Sequence, residues 1–224
     1  MEFMLDTAST DAVKELSSLL SIAGVTTNPS ILASSGRKPE NVIQDIIDLL
    51  SPEQKLFVQV VQTGFEGIME EARTIFRLRP ENIYVKIPVT RNGLRAIRQC
   101  RKEGIKTLAT AVYSAAEGFL AAQNGADYLA PYTNRMCSYG DGVQEVIRLM
   151  HMLRSNRLDS RVIAASFKNA HQISTLIEAG IDAVTVSPEV VNAMIDHSAT
   201  QIAVDEFSDT WKKTYGRQHL FEQK

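Results

Sequence analysis

The sequence predicts an α/β fold, a (β/α)8 barrel of the TIM type with an additional C-terminal helix. Three observations carry this. Eight short β-branched or apolar runs alternate with eight amphipathic stretches at helical spacing, joined by short connections, which is the pattern of parallel βα units. The length of 224 residues suits eight such units closed into one barrel, expected to span 1–224 as a single domain. The competing architecture, an open doubly wound sheet, calls for a glycine-rich turn after the first strand, and here that turn reads Asp6-Thr7-Ala8-Ser9.

In chain order, Glu2–Asp6 is an apolar strand, and Ser9 or Thr10 caps a helix with Val13, Leu16, Leu19 and Leu20 on its inner stripe. Ile22–Val25 is the second strand and runs into Thr26-Thr27-Asn28-Pro29-Ser30. Pro39 opens the next helix, with Val42, Ile43, Ile46, Ile47 and Leu50 at helical spacing, and Ser51-Pro52 stops it. Leu56–Val61 is the third strand; Thr63 and Glu66 form a capping-box pattern before a helix to Leu78. The fourth strand is Asn82–Thr90, and Thr90 caps a helix that Gly104 ends. Ile105–Thr110 follows, then a helix introduced by a second capping box, Ser114 with Glu117, and ended by Gly125. Ala126–Pro131 is the sixth strand, with a loop over Tyr132–Gly142 and a helix marked by Val143, Val146, Ile147, Met150 and Leu153. Arg161–Ala165 precedes a helix capped by Asn169 and ended by Gly180, and Ile181–Val186 precedes one begun by Ser187-Pro188-Glu189. A last helix, about Thr200–Tyr215, stands outside the repeat.

The composition, 44% hydrophobic and 22% charged, is that of an ordinary globular chain, and a net charge of −2 provides no basic field for nucleic acid or acidic membranes. Cys100 and Cys137 cannot build a disulfide framework and show no metal spacing. His151, His171, His197 and His219 fall on helices or the tail without ligand spacing, so neither a metal nor a cofactor is expected. Met1–Asp6 has no signal-peptide pattern, and no apolar run approaches the ~20 residues of a membrane span. The expectation is a cytoplasmic protein that binds neither nucleic acid nor membrane.

In such a barrel the chemistry sits at the carboxyl ends of the strands. The groups delivered there are Asp6, Thr26 and Asn28, Gln59, Lys86, Thr110, Tyr132 with Arg135, and Ser166 with Lys168. Lys55 and Lys106 stand near strand starts, at the opposite face. Lys86 lies inside Ile83-Tyr84-Val85-Lys86-Ile87, a run that reads as a strand buried on both faces, with no carboxylate beside it in sequence. A buried ammonium is costly, so the amine is expected to lose its proton and become a nucleophile. A lysine at a strand end with its head in water is the plain alternative. Lys168, at a helix start after the seventh strand with Ser166 and Arg135, reads as a phosphate grip or as a solvated lysine beside a capped helix. Asp6 is a proton-transfer group or a loop cap, and Tyr132 a proton donor or a packed rim residue. An amine, a phosphate grip and a carboxylate together point to imine chemistry, with Asp6, Tyr132 and the Gln59–Thr110 pair available for proton transfer.

The segments Met4-Leu5-Asp6-Thr7, Gly24-Val25-Thr26-Thr27-Asn28-Pro29-Ser30, Val85-Lys86-Ile87-Pro88 and Ala164-Ala165-Ser166-Phe167-Lys168 resemble the transaldolase family, over Glu2 to about Gly216. The likeness is greatest to the short-chain branch that includes fructose-6-phosphate aldolase. The resemblance implies a class I aldolase with Lys86 as the Schiff-base residue. It implies that Asp6 and Asn28 position and deprotonate substrate hydroxyls, and that Arg135, Ser166 and Lys168 hold a sugar phosphate. It also implies a homo-oligomer, rings of five stacked into decamers, with the C-terminal helix reaching over a neighbour. Ile202, Phe207, Trp211 and Tyr215 form an apolar stripe that fits this, or that closes the base of its own barrel.

True transaldolases resemble this chain but carry a glutamate where it has Gln59 and a phenylalanine where it has Tyr132. Gln59 cannot ionise and is a poor base. Leu108 and Ala130 likewise stand where larger transaldolases carry polar residues. The resemblance thus implies cleavage of fructose 6-phosphate to dihydroxyacetone and glyceraldehyde 3-phosphate. The alternatives are a transaldolase passing dihydroxyacetone units between sugar phosphates, as in the pentose phosphate pathway, and a non-catalytic sugar-phosphate sensor. Cys137–Gly142, Cys-Ser-Tyr-Gly-Asp-Gly, departs from the family pattern beside Arg135.

Overall fold

Side chains alternate faces along a strand, so a barrel strand must satisfy an outer layer of helices and an inner core at once. The strands of this chain do both. The computed structural model describes residues 1–221; residues 222–224, the end of the expected domain, lie outside the described residues. Strands β1 (Glu2–Asp6), β2 (Gly24–Thr26), β3 (Lys55–Gln59), β4 (Ile83–Pro88), β5 (Thr107–Val112), β6 (Tyr128–Pro131), β7 (Arg161–Ala164) and β8 (Ala183–Val186) pair in parallel in chain order. β8 returns to β1, with Leu5 opposite Val186, and closes the barrel.

Around it lie α1 (Thr10–Leu19), α2 (Pro29–Ser34), α3 (Pro39–Leu49), α4 (Phe65–Leu78), α5 (Arg91–Lys102), α6 (Ala115–Gln123), α7 (Thr133–Met136), α8 (Gly142–Ser155), α9 (Ala170–Glu178) and α10 (Pro188–Ile195). The outward residues Leu5, Val25, Leu56, Val85, Ile87, Leu129, Val162 and Val184 pack with helical residues such as Leu16, Ile46, Ile68, Ile97, Leu149 and Ile173 in one cluster. Each fully buried leucine or isoleucine at this seam contributes about 1.5–3 kcal/mol. Side-chain caps fix where the helices begin. Ser9, Thr90, Ser114, Asp141 and Asn169 each accept a hydrogen bond from the backbone N–H three residues on.

The interior is layered. At the amino ends of the strands, Glu2 Oε1 accepts from Lys55 Nζ at 2.5 Å and from Arg161 Nη1 at 2.7 Å, while its Oε2 accepts from Tyr128 at 2.8 Å. Burial pushes the Glu2 carboxyl up, but the bonds from Lys55, Tyr128 and Arg161 outweigh this and hold it below the usual range. Lys55 therefore belongs to the closed end, as expected, and Lys106 donates to the Glu81 carbonyl. Above this ion cluster Phe57 stacks on Tyr84 at 4.9 Å, and Tyr128 meets both edge-on at 5.3 and 5.1 Å. Met4, Leu108, Ile163 and Ala183 fill the same layer. These aromatic and aliphatic groups form the floor on which the next layer stands.

The structure departs from the expected elements at several points. β2 begins at Gly24 rather than Ile22 and ends at Thr26. A Cβ on Gly24 would lie 2.2 Å from the Lys55 carbonyl oxygen, so only glycine admits the close approach of β2 to β3. α2 was not expected; Asn28 caps it through a bond from Ile31 N, and Pro29 opens it. β3 starts at Lys55 and stops at Gln59, short of Val61. The Thr63–Glu66 capping box does not form: Gly64 is the cap residue without a side-chain bond, and the Glu71 carboxylate accepts from Val61 N and Gln62 N instead. In the second box Ser114 accepts from Glu117 N, but the Glu117 carboxylate accepts from Tyr113 N. β5 is displaced toward Val112 and carries a register slip between Ala109 and Val112. The expected loop after β6 contains α7.

The additional C-terminal helix, α11 (Ser198–Tyr215), begins two residues earlier than expected and buries none of its residues in this subunit. Ile202, Phe207 and Tyr215 are exposed. Among the described residues no helix is long and apolar enough to cross a membrane.

Candidate active site

Alternation places Asp6, Thr26, Lys86, Thr110, Ala130 and Thr185 one step above the aromatic floor, at the carboxyl ends of the strands. Asp6, Thr26, Asn28, Lys86, Tyr132 and Ser166 line one small cavity of about 90 Å³ there, with Thr185 and Arg135 completing its wall. That is far below the ~300–1,000 Å³ of sites for drug-sized ligands, so a molecule of that size does not fit inside it. A larger groove of about 790 Å³ lies outside β3, walled by α2, α3 and α4. It is largely apolar and has no fully buried ionisable group, unlike the barrel mouth with Lys86.

Lys86 is 5% exposed. Its outward neighbours Val85 and Ile87 are sealed under helices, and the lysine projects inward above Tyr84. Nζ donates to the Thr27 carbonyl at 2.6 Å. Among the described residues it forms no ion pair. Burial pulls its pKa below the ordinary lysine value, with the negative charge of Asp6 opposing part of that effect. A neutral amine keeps its nucleophilic lone pair while one N–H is held by the carbonyl, which fixes where the nitrogen points.

The groups around the amine are each held by a second contact. Thr26 Oγ1 donates to Asp6 Oδ1 at 2.6 Å and lies 2.7 Å from Thr185 Oγ1. Asn28 spends its Oδ1 on the cap of α2. Tyr132, which precedes α7, sets its hydroxyl 3.2 Å from Thr110 Oγ1. Burial raises the Tyr132 pKa against the opposing effects of Thr110 and the Arg135 charge, so the phenol retains its proton. The Arg135 guanidinium lies 4.8 Å over the Tyr132 ring and donates to Tyr113 Oη at 3.4 Å. Tyr113 in turn meets Tyr132 and Tyr139 edge-on, making an aromatic rim.

Two residues at this mouth hold left-handed backbone without being glycine, Ala111 at φ 55° and Ser166 at φ 60°. Such conformations cost about 1–3 kcal/mol each and gather at functional sites. Ala111 is the bulge of β5, immediately after Thr110; Ser166 lines the cavity.

Of the residues expected at the site, Asp6, Thr26, Asn28, Lys86, Tyr132, Arg135 and Ser166 come together. Thr110 stands behind, bonded to Tyr132. Gln59 stands opposite Lys86 in the β3–β4 register and two residues on from the inward Phe57, so it shares the Lys86 layer without lining this cavity, and its Oε1 is buried without a hydrogen-bond partner among the described residues. Lys168 is exposed and lies outside the cavity wall, its backbone N–H donating to Gln172 Oε1. Thr185 and Tyr113 were not expected. Thr185 is a lone hydroxyl on the interior face of an apolar strand, and counting alternate residues back from Ser187 would have found it. Among the described residues no cluster of His, Cys, Asp or Glu could hold a metal ion.

The depressed Lys86 pKa is a stability statement. The folded chain binds fewer protons than the unfolded one, so stability rises with pH between the lowered folded value and the ordinary 10.5, and is least below that window. Lys86→Met keeps the length and removes the penalty. We expect it to raise the free energy of unfolding at neutral pH by about 1–3 kcal/mol and to flatten the rise in mild alkali. Urea titrations at both conditions measure this, and an unchanged or lowered stability at neutral pH contradicts it.

Comparison with known proteins gives a consistent picture. The chain is similar in fold to a solved structure described as native KDPGal, with a TM-score of 0.57 and 18% identity over 91% of this chain and 95% of that one. It is also similar to a cube-shaped, highly porous protein cage designed by fusing symmetric oligomeric domains, at a TM-score of 0.56 and 17% identity, covering 96% of this chain and 78% of that one. At such identities the likeness concerns the fold alone. The family model for transaldolase/fructose-6-phosphate aldolase matches residues 3–223, and the chain therefore belongs to the transaldolase/fructose-6-phosphate aldolase family.

Proposed function

We propose that this aldolase/transaldolase-type enzyme is a class I aldolase that cleaves, and in reverse forms, fructose 6-phosphate. The observation that carries the reading is the Lys86 amine: buried, without a paired carboxylate, its pKa depressed, and facing a small cavity. Lys86 Nζ attacks the substrate ketone carbon, and loss of water gives an iminium. Asp6 takes the proton of the C4 hydroxyl as the C3–C4 bond breaks, releasing glyceraldehyde 3-phosphate and leaving an enamine. Tyr132, kept protonated by burial, supplies the proton that returns the enamine to an iminium, and water then frees dihydroxyacetone. Thr26 and Asn28 orient the three-carbon unit. Arg135 and Ser166 meet the phosphate at the rim, with Lys168 adding charge from the start of α9.

Gln59 is what separates this reading from transaldolase proper. An amide cannot ionise, so the water handling that a glutamate performs has no base there. Borohydride reduction in the presence of dihydroxyacetone or fructose 6-phosphate should add mass at Lys86. Absence of an adduct, or an adduct on another lysine, rejects imine catalysis by Lys86. A large acceleration of turnover by added erythrose 4-phosphate assigns transaldolase instead. Tyr132→Phe should lower cleavage by ~10²–10⁴, the usual weight of one proton-transfer group, and an unaltered steady-state rate takes Tyr132 out of the mechanism.

The assembly belongs to the same reading. α11 exposes Ile202 at 59% and Phe207 at 71%, and this surface supports packing against a neighbouring subunit in a ring of five or a stack of ten. Light scattering should return a mass several times that of one chain, and a monomer excludes the assembly. Cytoplasmic residence also belongs to it, in keeping with two free thiols.

A further inference from the structure

A hydroxyl carries one proton. Thr26 gives its proton to Asp6 Oδ1, at 2.6 Å. Its second contact, Thr185 Oγ1 at 2.7 Å, must therefore run the other way, with Thr185 donating and Thr26 accepting. Thr26 is 1% exposed and Thr185 3%, so water does not take either place. The three groups form a one-directional chain from β8 through β2 to β1.

We propose that Thr185 is a positioning residue for Asp6, fixing through Thr26 the orientation of the carboxylate that serves as the base. The proposal rests on the aldolase reading above. A hydroxyl that accepts a hydrogen bond becomes a stronger donor, so Thr185 strengthens the hold of Thr26 on Oδ1. With Oδ1 held in this way, Oδ2, which makes no hydrogen bond among the described residues, is left for the substrate hydroxyl. The register explains why the relay comes from β8. Met4 lies opposite Thr185, and Asp6 opposite Thr26, so the carboxylate stands one inward step above Thr185 on one side and level with Thr26 on the other. The remaining described residues of β8 are Ala183, Val184 and Val186, and valine would serve Thr185's position equally for shape. The hydroxyl, not the packing, is what threonine adds.

The test compares Thr185→Val, Thr185→Ser, Thr26→Val and the Thr26→Val/Thr185→Val pair, in fructose 6-phosphate cleavage and in borohydride trapping of dihydroxyacetone. Thr185→Val should lower kcat about tenfold with KM within about twofold, because the loss falls on the base and not on binding. Thr185→Ser should return kcat to within about twofold of the original. The double variant should be no slower than Thr26→Val alone, since the relay is already broken there. Wild-type turnover in Thr185→Val, or an equal loss in Thr185→Ser, overturns the proposal. If Thr185→Val folds poorly by circular dichroism, Thr185→Ala poses the same question, with the same two outcomes. Trapping separates the two levels of inference. No adduct in the unmodified protein sinks the aldolase reading. Adducts in every variant, with turnover indifferent to the hydroxyl, sink only the role of Thr185.

Discussion

One amine is kept out of water at the mouth of a barrel, and most of the structure around it follows from that constraint. Burial works against the ammonium form of Lys86, where Val85 and Ile87 are sealed under helices and Tyr84 lies beneath, and lowers its pKa. Its nitrogen is answered by a backbone carbonyl, which holds direction without stabilising a charge as a carboxylate contact would. Asp6 is near enough to moderate the shift and is itself engaged by Thr26, so the carboxylate and the amine remain separate instruments. Had they formed a close ion pair, the carboxylate would have stabilised the ammonium and spent an oxygen on it.

The layers below make this arrangement possible. Ionised groups stand at the amino end, where Glu2 satisfies Lys55, Arg161 and Tyr128 together. An aromatic trio separates them from Lys86, so their charges are insulated from the site by packed rings. The strained backbone lies on the opposite side, at Ala111 and Ser166, and the helices and strands that fix these residues offset its cost.

Much of this was legible in the sequence. The eight strands follow from the two-residue and 3.6-residue periods, their closure into a barrel from the chain length, and the level of Lys86 from its place toward the carboxyl end of a strand. The short helices were not: α2 has six residues and α7 four, too few to display a period against the surrounding loop chemistry. The capping pattern at Thr63 was misleading because a pattern states what a side chain is able to do. In the fold, Glu71 one turn further on reached the loop N–H groups first. Lys168 was placed by its position in the chain, but a long side chain at a helix start chooses its direction from tertiary surroundings that no local spacing encodes. Thr185 escaped notice for the opposite reason. Its neighbours are so uniformly apolar that a single hydroxyl reads as a β-branched filler until its partner, 159 residues away, is seen.

The ion cluster that shuts the amino end has a kinetic corollary. A vessel with one opening imposes a queue. In the proposed cleavage the phosphate-bearing fragment lies nearest the exit and the tethered three-carbon fragment lies behind it, against the closed floor. The outer fragment must therefore depart before the inner one is freed, and in synthesis the order of arrival is reversed. In the proposed cleavage, sequential traffic thus follows from the plugged barrel together with the covalent tether, prior to any selectivity of the walls.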